Sequence, residues 1–298
     1  MTDPSEPSVL AIDLGGTKIA FAEVAGSCCL ARSQIATPRT GRGADLVAAI
    51  ATEMARRGGR LRSPIGVATT GIVQDGCLTA LNPGTLPIED GFPLVAALED
   101  ALDRPVVALN DAQAAAWGER LHGAGRDWPT FAFVTVSTGV GGGLVVGGRL
   151  QVGLSGLAGH LGHMVYDPSG AACGCGRQGC IEAVASGTAI ARLATERLGR
   201  PVRAPEVFGL AAAGNADAER VLDGSAMAIA SGLGDLVAAI DAQGIVLGGG
   251  VGLAEGFVER VDRALVREPM RFRRPILRAS CGADAGLIGA AALACLHQ

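Results

Sequence analysis

The sequence predicts an α/β chain built from two similar halves, and three observations carry this. Apolar strand runs flanking a glycine-rich turn occur at residues 9–24 and again at 131–146. After each hairpin the pattern passes through helical periodicity and single short apolar runs, the alternation expected of sheets covered by helices. Hydrophobic residues make up 49% of the 298 and charged residues 18%, enough for a sizeable core.

The elements follow in order. Residues 9–14 are an apolar strand entering the turn Asp13-Leu14-Gly15-Gly16-Thr17-Lys18, and 19–24 return as its hairpin partner. Residues 45–57 have apolar side chains at helical spacing, with Gly58-Gly59 as the stop. A buried strand is expected at 65–69, a turn at Asn82-Pro83-Gly84, a helix at 93–102, a strand at 106–109 and a helix at 111–121. Residues 131–136 and 143–146 flank the second glycine turn. A long apolar helix is expected over 216–239, a strand at 244–247, then Gly248-Gly249-Gly250 and a helix at 253–266. Residues 285–296 form the closing helix. No low-complexity linker separates the halves, so the boundary falls near the helix at 111–121. The expected division is a smaller N-terminal domain of 1–116 with 285–298, and a larger C-terminal domain of 117–284. Two such halves facing each other suggest a nucleotide cleft between them.

Composition excludes several function classes. The net charge is −4 and no basic block stands out, which argues against a nucleic-acid partner. The Arg271-Phe272-Arg273-Arg274 run reads as a solvated turn. Aromatics are only 3%, too few for base-stacking platforms. The polar, acidic N-terminus lacks the basic start and apolar core of a signal peptide. No stretch reaches the roughly 18–20 uncharged apolar residues of a membrane span, so no membrane partner is expected. Eight cysteines without an export signal imply a cytoplasmic protein with reduced thiols.

Three of those cysteines form a knot, Cys173-Gly174-Cys175-Gly176-Arg177-Gln178-Gly179-Cys180. Structural zinc takes four thiolate or imidazole ligands tetrahedrally. The interleaved glycines Gly174, Gly176 and Gly179 let the backbone fold tightly enough for three sulfurs to converge. His163 and His160 are the nearest candidates for the fourth ligand. The bland alternative is a set of buried free thiols, and that reading suits Cys28, Cys29, Cys77, Cys281 and Cys295.

Backbone N–H groups in a glycine turn make a concave anion site. Gly15-Gly16 qualifies, as does 139–143, which includes Gly139, Gly141 and Gly142. Thr17 and Thr138 add hydroxyls, Lys18 adds a charge, and Asp13 is placed to hold Mg²⁺ directly or through water. Gly249 and Gly250, between strand and helix, let a nucleotide approach the backbone. The alternative is that these are ordinary hairpin turns. No dinucleotide fingerprint or P-loop is present. Asn110-Asp111 ends an apolar strand. A carboxylate there suits a general base toward a hydroxyl, against the alternative of a helix N-cap.

Together, the motifs at 13–18, 110–111, 137–143, His163 with the three cysteines, and 248–250 resemble the ROK family of bacterial sugar kinases and repressors over essentially the whole chain. The resemblance implies the two-domain actin-like ATPase (ribonuclease H-like) fold, with nucleotide and sugar in the interdomain cleft. It implies ATP with Mg²⁺ and a structural Zn²⁺ held by His163, Cys173, Cys175 and Cys180. It implies Asp111 as catalytic base and sugar contacts from Gly71, Asn82, Asn110, Asp111, His163 and Glu182. A homodimer is expected.

Within that family, the segments TGIVQDGCLTALNP, LNDAQAAAWGE, VTVSTGVGGGLV, GLAGHLGHM and GVGLAEGF are similar to the branch of N-acetylmannosamine kinases. The expected substrate is therefore an N-acetylated hexosamine, phosphorylated on its 6-hydroxyl in amino-sugar catabolism. A glucokinase or N-acetylglucosamine kinase is the alternative. The family writes Glu-x-Gly-His at the sugar site, where this chain has His160-Leu161-Gly162-His163. His160 is thus a further sugar-site candidate whose role the resemblance leaves open. The family's repressors carry a DNA-reading module before the first strand, and only eight residues precede Val9. A sugar sensor without catalysis is disfavoured by the intact Asp13, Asp111 and glycine turns.

Overall fold

The computed structural model describes residues 8–57 and 63–296. The expected helix stop at Gly58-Gly59 and most of the polar N-terminal segment lie outside the described residues. The chain forms two compact units, one of residues up to 126 with Leu150–Ala158 and those from 283 on, the other of Asp127–Arg149 and Gly159–Gly282.

In the first unit β1 (Val9–Leu14) runs into β2 (Lys18–Ala25) and β3 (Cys28–Ala36). After α1 (Gly43–Arg57) come β4 (Ile65–Thr69), the small ribbon β5 (Ile72–Gln74) and β6 (Cys77–Thr79), then α2 (Leu94–Leu102), β7 (Val106–Asn110) and α3 (Asp111–His122). The sheet order is β3-β2-β1-β4-β7. β1 pairs antiparallel with β2 and parallel with β4, and β4 pairs parallel with β7. Leu14 is opposite Thr69 and Thr69 is opposite Asn110, so three parallel strands end at one edge of this sheet. Open α/β sheets bind ligands outside that carboxyl edge.

The second unit repeats the plan. β8 (Phe131–Val136), β9 (Val140–Val146) and β10 (Arg149–Gln151), of which Leu150 and Gln151 are counted with the first unit, precede α4 (Glu182–Ala185), α5 (Gly187–Leu198), α6 (Ala204–Ala212) and α7 (Ala216–Ile240). β11 (Gly244–Gly248), α8 (Phe257–Leu265) and β12 (Ile276–Arg278) follow. The sheet order is β10-β9-β8-β11-β12, again an antiparallel hairpin followed by parallel strands. α9 (Ala285–Cys295) returns to the first unit and packs on α3 and β4. Its packing on α3 is close because Gly118 faces the carbonyl of Ala285 and Gly289 faces that of Ala114, with no room for a Cβ at either glycine.

Each unit has its own aliphatic core. Ile12, Leu14, Ile19, Phe21, Ile50 and Leu98 anchor the first, and Val134, Leu161, Ile190, Ile229, Leu247 and Phe257 the second. α7 is the one described helix long and apolar enough to cross a membrane by length and composition, and 67% of its apolar window is buried inside the structure. Core burial accounts for its hydropathy.

The structure differs from the sequence reading in several elements. The helix expected over 253–266 begins only at Phe257, because Gly256 adopts a φ of +77° and breaks the approach. The glycine run at 139–143 is a turn only as far as Gly139. Val140 opens β9, with Gly141 paired to Thr135 and Gly142 to Val134. Glycine is needed in that strand for close packing, since a Cβ on Gly142 would lie 2.5 Å from the Gly159 carbonyl.

Candidate functional site

The first unit gathers one set of polar groups at the carboxyl edge of its sheet. Asn110 is the N-cap of α3: its Oδ1 accepts the N–H groups of Ala112 at 3.0 Å and Gln113 at 3.2 Å. Its Nδ2 donates to the Gly71 carbonyl at 2.9 Å, so the side chain is largely committed to structure. Gly71 has a φ of +100°, which favours glycine, and its missing side chain leaves room for the Thr79 carbonyl. Asn110 is thus the cap of α3, and Asp111 shares one of the N–H groups it satisfies, that of Ala112. Asp111 Oδ1 accepts the adjacent Ala112 N–H at 2.8 Å, and the carboxyl is also hydrogen-bonded by the Asn110 side chain and by its own backbone N–H.

The residue as a whole stays partly accessible, while its carboxyl sits among protein atoms. Burial pushes the Asp111 carboxyl up to about 6 from an ordinary 3.8, and the Asp13 carboxylate pushes in the same direction. Asp13, at the end of β1, is also raised by burial, and Lys18 opposes this. Two carboxyls are thus held above their ordinary range near the ends of two parallel strands of one sheet. Asn82 lies in a separate loop of this unit, where its Oδ1 accepts the Gly84 N–H at 3.0 Å.

The turn Gly15-Gly16-Thr17 is held from behind. Gly15 N–H donates to the Lys18 carbonyl at 3.1 Å. The hydroxyl of Thr37 donates to the Gly15 carbonyl at 2.7 Å, and Arg39 donates to the Gly16 carbonyl at 3.0 Å. Neither Thr37 nor Arg39 belongs to a recognisable motif, and sequence reasoning missed both.

In the second unit two glycine turns meet at the ends of β8 and β11. Val251 and Gly252 N–H both donate to the Val136 carbonyl, at 2.9 and 3.0 Å. Gly249, at φ +85°, passes so near Val136 that a Cβ would lie 2.4 Å from its oxygen, and Gly250 beside it faces open space. The Ser137-Thr138-Gly139 turn hangs from the segment that begins α4 and α5. Gly187 N–H donates to the Ser137 carbonyl at 2.7 Å, and the Thr188 hydroxyl to that of Thr138 at 2.9 Å. Glu182 Oε2 accepts the Val140 N–H at 2.9 Å.

His163, Cys173, Cys175 and Cys180 converge. One ligand atom from each lies within 4.8 Å of all the others. Cys175 Sγ and Cys180 Sγ are 3.8 Å apart, and Cys173 Sγ is 3.7 Å from His163 Nδ1. A tetrahedral metal with Zn–S of about 2.3 Å and Zn–N of about 2.0–2.1 Å gives edges of about 3.8 and 3.6 Å, so the donor set fits such an ion. A disulfide needs sulfurs at about 2.05 Å, far inside the observed spacing. Gly176 and Gly179 have φ of +86° and +73°, and a Cβ on Gly179 would strike the Asp167 carbonyl. Arg177 Nη1 donates to the His163 carbonyl at 2.6 Å and ties the cysteine loop to the short 3₁₀ turn Leu161–His163. His160, just before that turn, stacks on His163 with ring centroids 6.3 Å apart, and its own donors lie outside the four-ligand set.

The comparisons with known proteins agree on the family. The chain is 49% identical over 285 residues to an N-acetylmannosamine kinase of Yersinia pestis (strain Pestoides F), covering 95% of this chain and 96% of that one. In structure it is similar to a ROK hexokinase from Thermus thermophilus, with a TM-score of 0.85, 40% identity and coverage of 98% and 99% of the two chains. A ROK glucokinase from Streptomyces griseus, solved with glucose and AMPPNP, superposes with a TM-score of 0.84 at 32% identity, covering 97% of this chain and all of that one (100%). The ROK family model matches residues 9–296, and the chain belongs to the ROK family, with its actin-like ATPase fold.

Proposed function

We propose that this chain is an ATP-dependent kinase that phosphorylates the 6-hydroxyl of N-acetylmannosamine. The observation that carries the substrate is the 49% identity to an N-acetylmannosamine kinase across nearly the whole of both chains. The chemistry is supported by the Asp111 carboxyl, which stands at a strand end and is raised by burial to about 6. In this reading Asp111 takes the proton from the sugar 6-hydroxyl. The oxygen forms a bond to the γ-phosphorus of ATP, the bond to the bridging oxygen breaks, and ADP leaves. A base near the working pH suits this transfer.

The turns at Gly15-Gly16-Thr17 and Thr138-Gly139 are read as phosphate cradles, with Lys18 as a neutralising charge, Gly141 and Gly142 as their close-packed support, and Gly249 and Gly250 as the approach for the nucleoside. Asp13 would hold Mg²⁺, which supplies charge neutralisation on the phosphates. Gly71, Asn82, Asn110, His160, His163 and Glu182 form the sugar set. His163, Cys173, Cys175 and Cys180 would hold Zn²⁺, which supplies a rigid tie between the cysteine loop and the His163 segment. A homodimer in the cytoplasm is the expected working form.

A coupled assay of the purified protein with ATP and N-acetylmannosamine, N-acetylglucosamine and glucose tests the reading. N-acetylmannosamine should give the highest kcat/KM. If glucose is the better substrate, as the similarity to a 40%-identical hexokinase would favour, the substrate assignment fails and the kinase assignment stands.

A further inference from the structure

We propose that Thr37 and Arg39 are positioning residues that aim the N–H groups of the Gly15-Gly16-Thr17 turn at the phosphates of ATP, and that Arg39 also ties this turn to the Asn82 loop. The inference rests on reading that turn as a phosphate cradle. Its basis is peptide geometry. The carbonyl of one residue and the N–H of the next lie on opposite sides of a trans peptide, and the described chain has no cis bonds. Fixing the Gly15 carbonyl therefore sends the Gly16 N–H the other way, and fixing the Gly16 carbonyl does the same for the Thr17 N–H.

The chain fixes both carbonyls. The buried Thr37, only 6% exposed, donates its hydroxyl to the Gly15 carbonyl at 2.7 Å, and its own N–H donates to the Thr17 carbonyl at 3.1 Å. Two residues on, Arg39 Nη1 donates to the Gly16 carbonyl at 3.0 Å. With Gly15 N–H spent on Lys18, the N–H groups of Gly16 and Thr17 are the ones turned outward. A pair of outward backbone N–H groups is an anion nest.

Arg39 has a second hand on another loop. Its Nη2 donates to the Gly84 carbonyl at 3.0 Å, and Nη1 also reaches the Thr85 carbonyl at 3.4 Å. The two loops are in close contact there, since a Cβ on Gly16 would lie 2.2 Å from the Thr85 oxygen. Gly84 and Thr85 belong to the turn that Asn82 organises through Gly84 N–H at 3.0 Å and Thr85 N–H at 2.9 Å. A planar guanidinium can bridge carbonyls of two loops at once, and an ammonium at one point cannot do so with the same geometry.

The test is calorimetric titration of the full chain with Mg·AMP-PNP and, separately, with N-acetylmannosamine, alongside steady-state kinetics. Thr37→Val keeps the shape and removes the donor. It should raise the AMP-PNP Kd and the KM for ATP by about 3- to 10-fold, with the sugar Kd unchanged, and Thr37→Ser should recover most of the loss. Arg39→Ala should raise both the AMP-PNP and the sugar Kd by about 3- to 10-fold, and Arg39→Lys should recover neither fully. Arg39 is on the surface, so its variants decide the matter if Thr37→Val does not fold. Folded variants that bind AMP-PNP as the wild type does, with only a lowered Tm, would overturn the positioning role. A wild type that phosphorylates sugar but gains no AMP-PNP affinity from this turn, shown by an unaffected Gly16→Ala, would instead sink the phosphate-cradle reading.

Discussion

Glu182 Oε2 accepts the N–H of Val140 at 2.9 Å, and so joins the start of α4 to the first residue after the Ser137-Thr138-Gly139 turn. Its other oxygen lies 3.8 Å from Cys173 Sγ, and Cys180 is two residues before it in the chain. One carboxylate thus spans the gap between the Cys₃His cluster and a glycine turn. The carboxylate also lies close over Gly139, where a Cβ would be 2.6 Å from Glu182 Oε2 and would push that side chain aside.

The first prediction follows. Hydrogen bonds to charged groups contribute about 1.5–3 kcal/mol, so Glu182→Ala should speed hydrogen exchange of the Val140 amide by about 10- to 100-fold. Nucleotide affinity should fall with it. Exchange at the wild-type rate would mean that the amide is held by something other than this carboxylate.

The second prediction concerns the metal. Elemental analysis of the purified protein should give one zinc per chain, bound through His163, Cys173, Cys175 and Cys180. Cys175→Ser should lose the metal and lower Tm, because a closed structural site contributes its binding free energy to folding. Full stability in protein stripped of zinc would contradict the structural role.

Much of this was legible in the residues, and the gaps have physical causes. The spacing of three cysteines among glycines points to their convergence, which the structure shows, whereas the strand-end position of Asp111 is equally that of a helix cap and only the family resemblance implies a base there. Edge strand β3 was not seen, because its run of exposed Leu30, Ala31 and Arg32 blurs the alternation that a half-buried strand shows. α5 and α6 were missed although signals existed: Ser186 caps α5 through the Ala189 N–H, Gly199 ends it at φ +66°, and Pro205 opens α6. Gly142 reads as part of a turn because a glycine required for close approach looks the same in sequence as one required for φ. Thr37 and Arg39 act on a turn more than 20 residues away, and nothing local announces that contact.

The third prediction is a pH profile joined to a stability change. As a base, Asp111 must be ionised, so kcat/KM should rise with pH through about 6, and Asp111→Asn should lower kcat by about 10²- to 10⁴-fold. The folded carboxyl titrates above its ordinary 3.8, so the native state holds the proton more tightly than the unfolded chain. Stability should therefore decline as pH rises between about 4 and about 6, and remain lowered above that. Asp111→Asn removes the charge that is costly to bury. It should stabilise the protein at pH 7–8 by at most about 3 kcal/mol, the partial accessibility of the residue reducing that figure, with the gain disappearing near pH 4. A variant that is inactive and less stable at pH 8 would point to a structural role instead.

The last prediction concerns sugar choice at His160. The family's Glu-x-Gly-His becomes His160-Leu161-Gly162-His163 here, and the structure sets the His160 ring against His163 at 6.3 Å with planes 22° apart. His163 Nδ1 lies 3.7 Å from Cys173 Sγ, so a metal held by the four donors would fix the His163 ring, beside which the His160 ring lies. Gly162 presses the turn onto β9, where a Cβ would strike the Val140 carbonyl, and this leaves the pair little freedom to shift. An imidazole offers one donor and one acceptor where a carboxylate offers acceptors only. N-acetylmannosamine and N-acetylglucosamine differ only at C2, so a changed hydrogen-bonding pattern near that carbon discriminates through the polar group the wrong sugar leaves unpaired. One such mismatch corresponds to about 1–3 kcal/mol, or roughly 5- to 150-fold in kcat/KM. His160→Glu should move the preference toward N-acetylglucosamine or glucose by a factor in that range while leaving the KM for ATP within about threefold of wild type. Equal losses for all three sugars would show that His160 supports the fold of the turn and does not select the substrate.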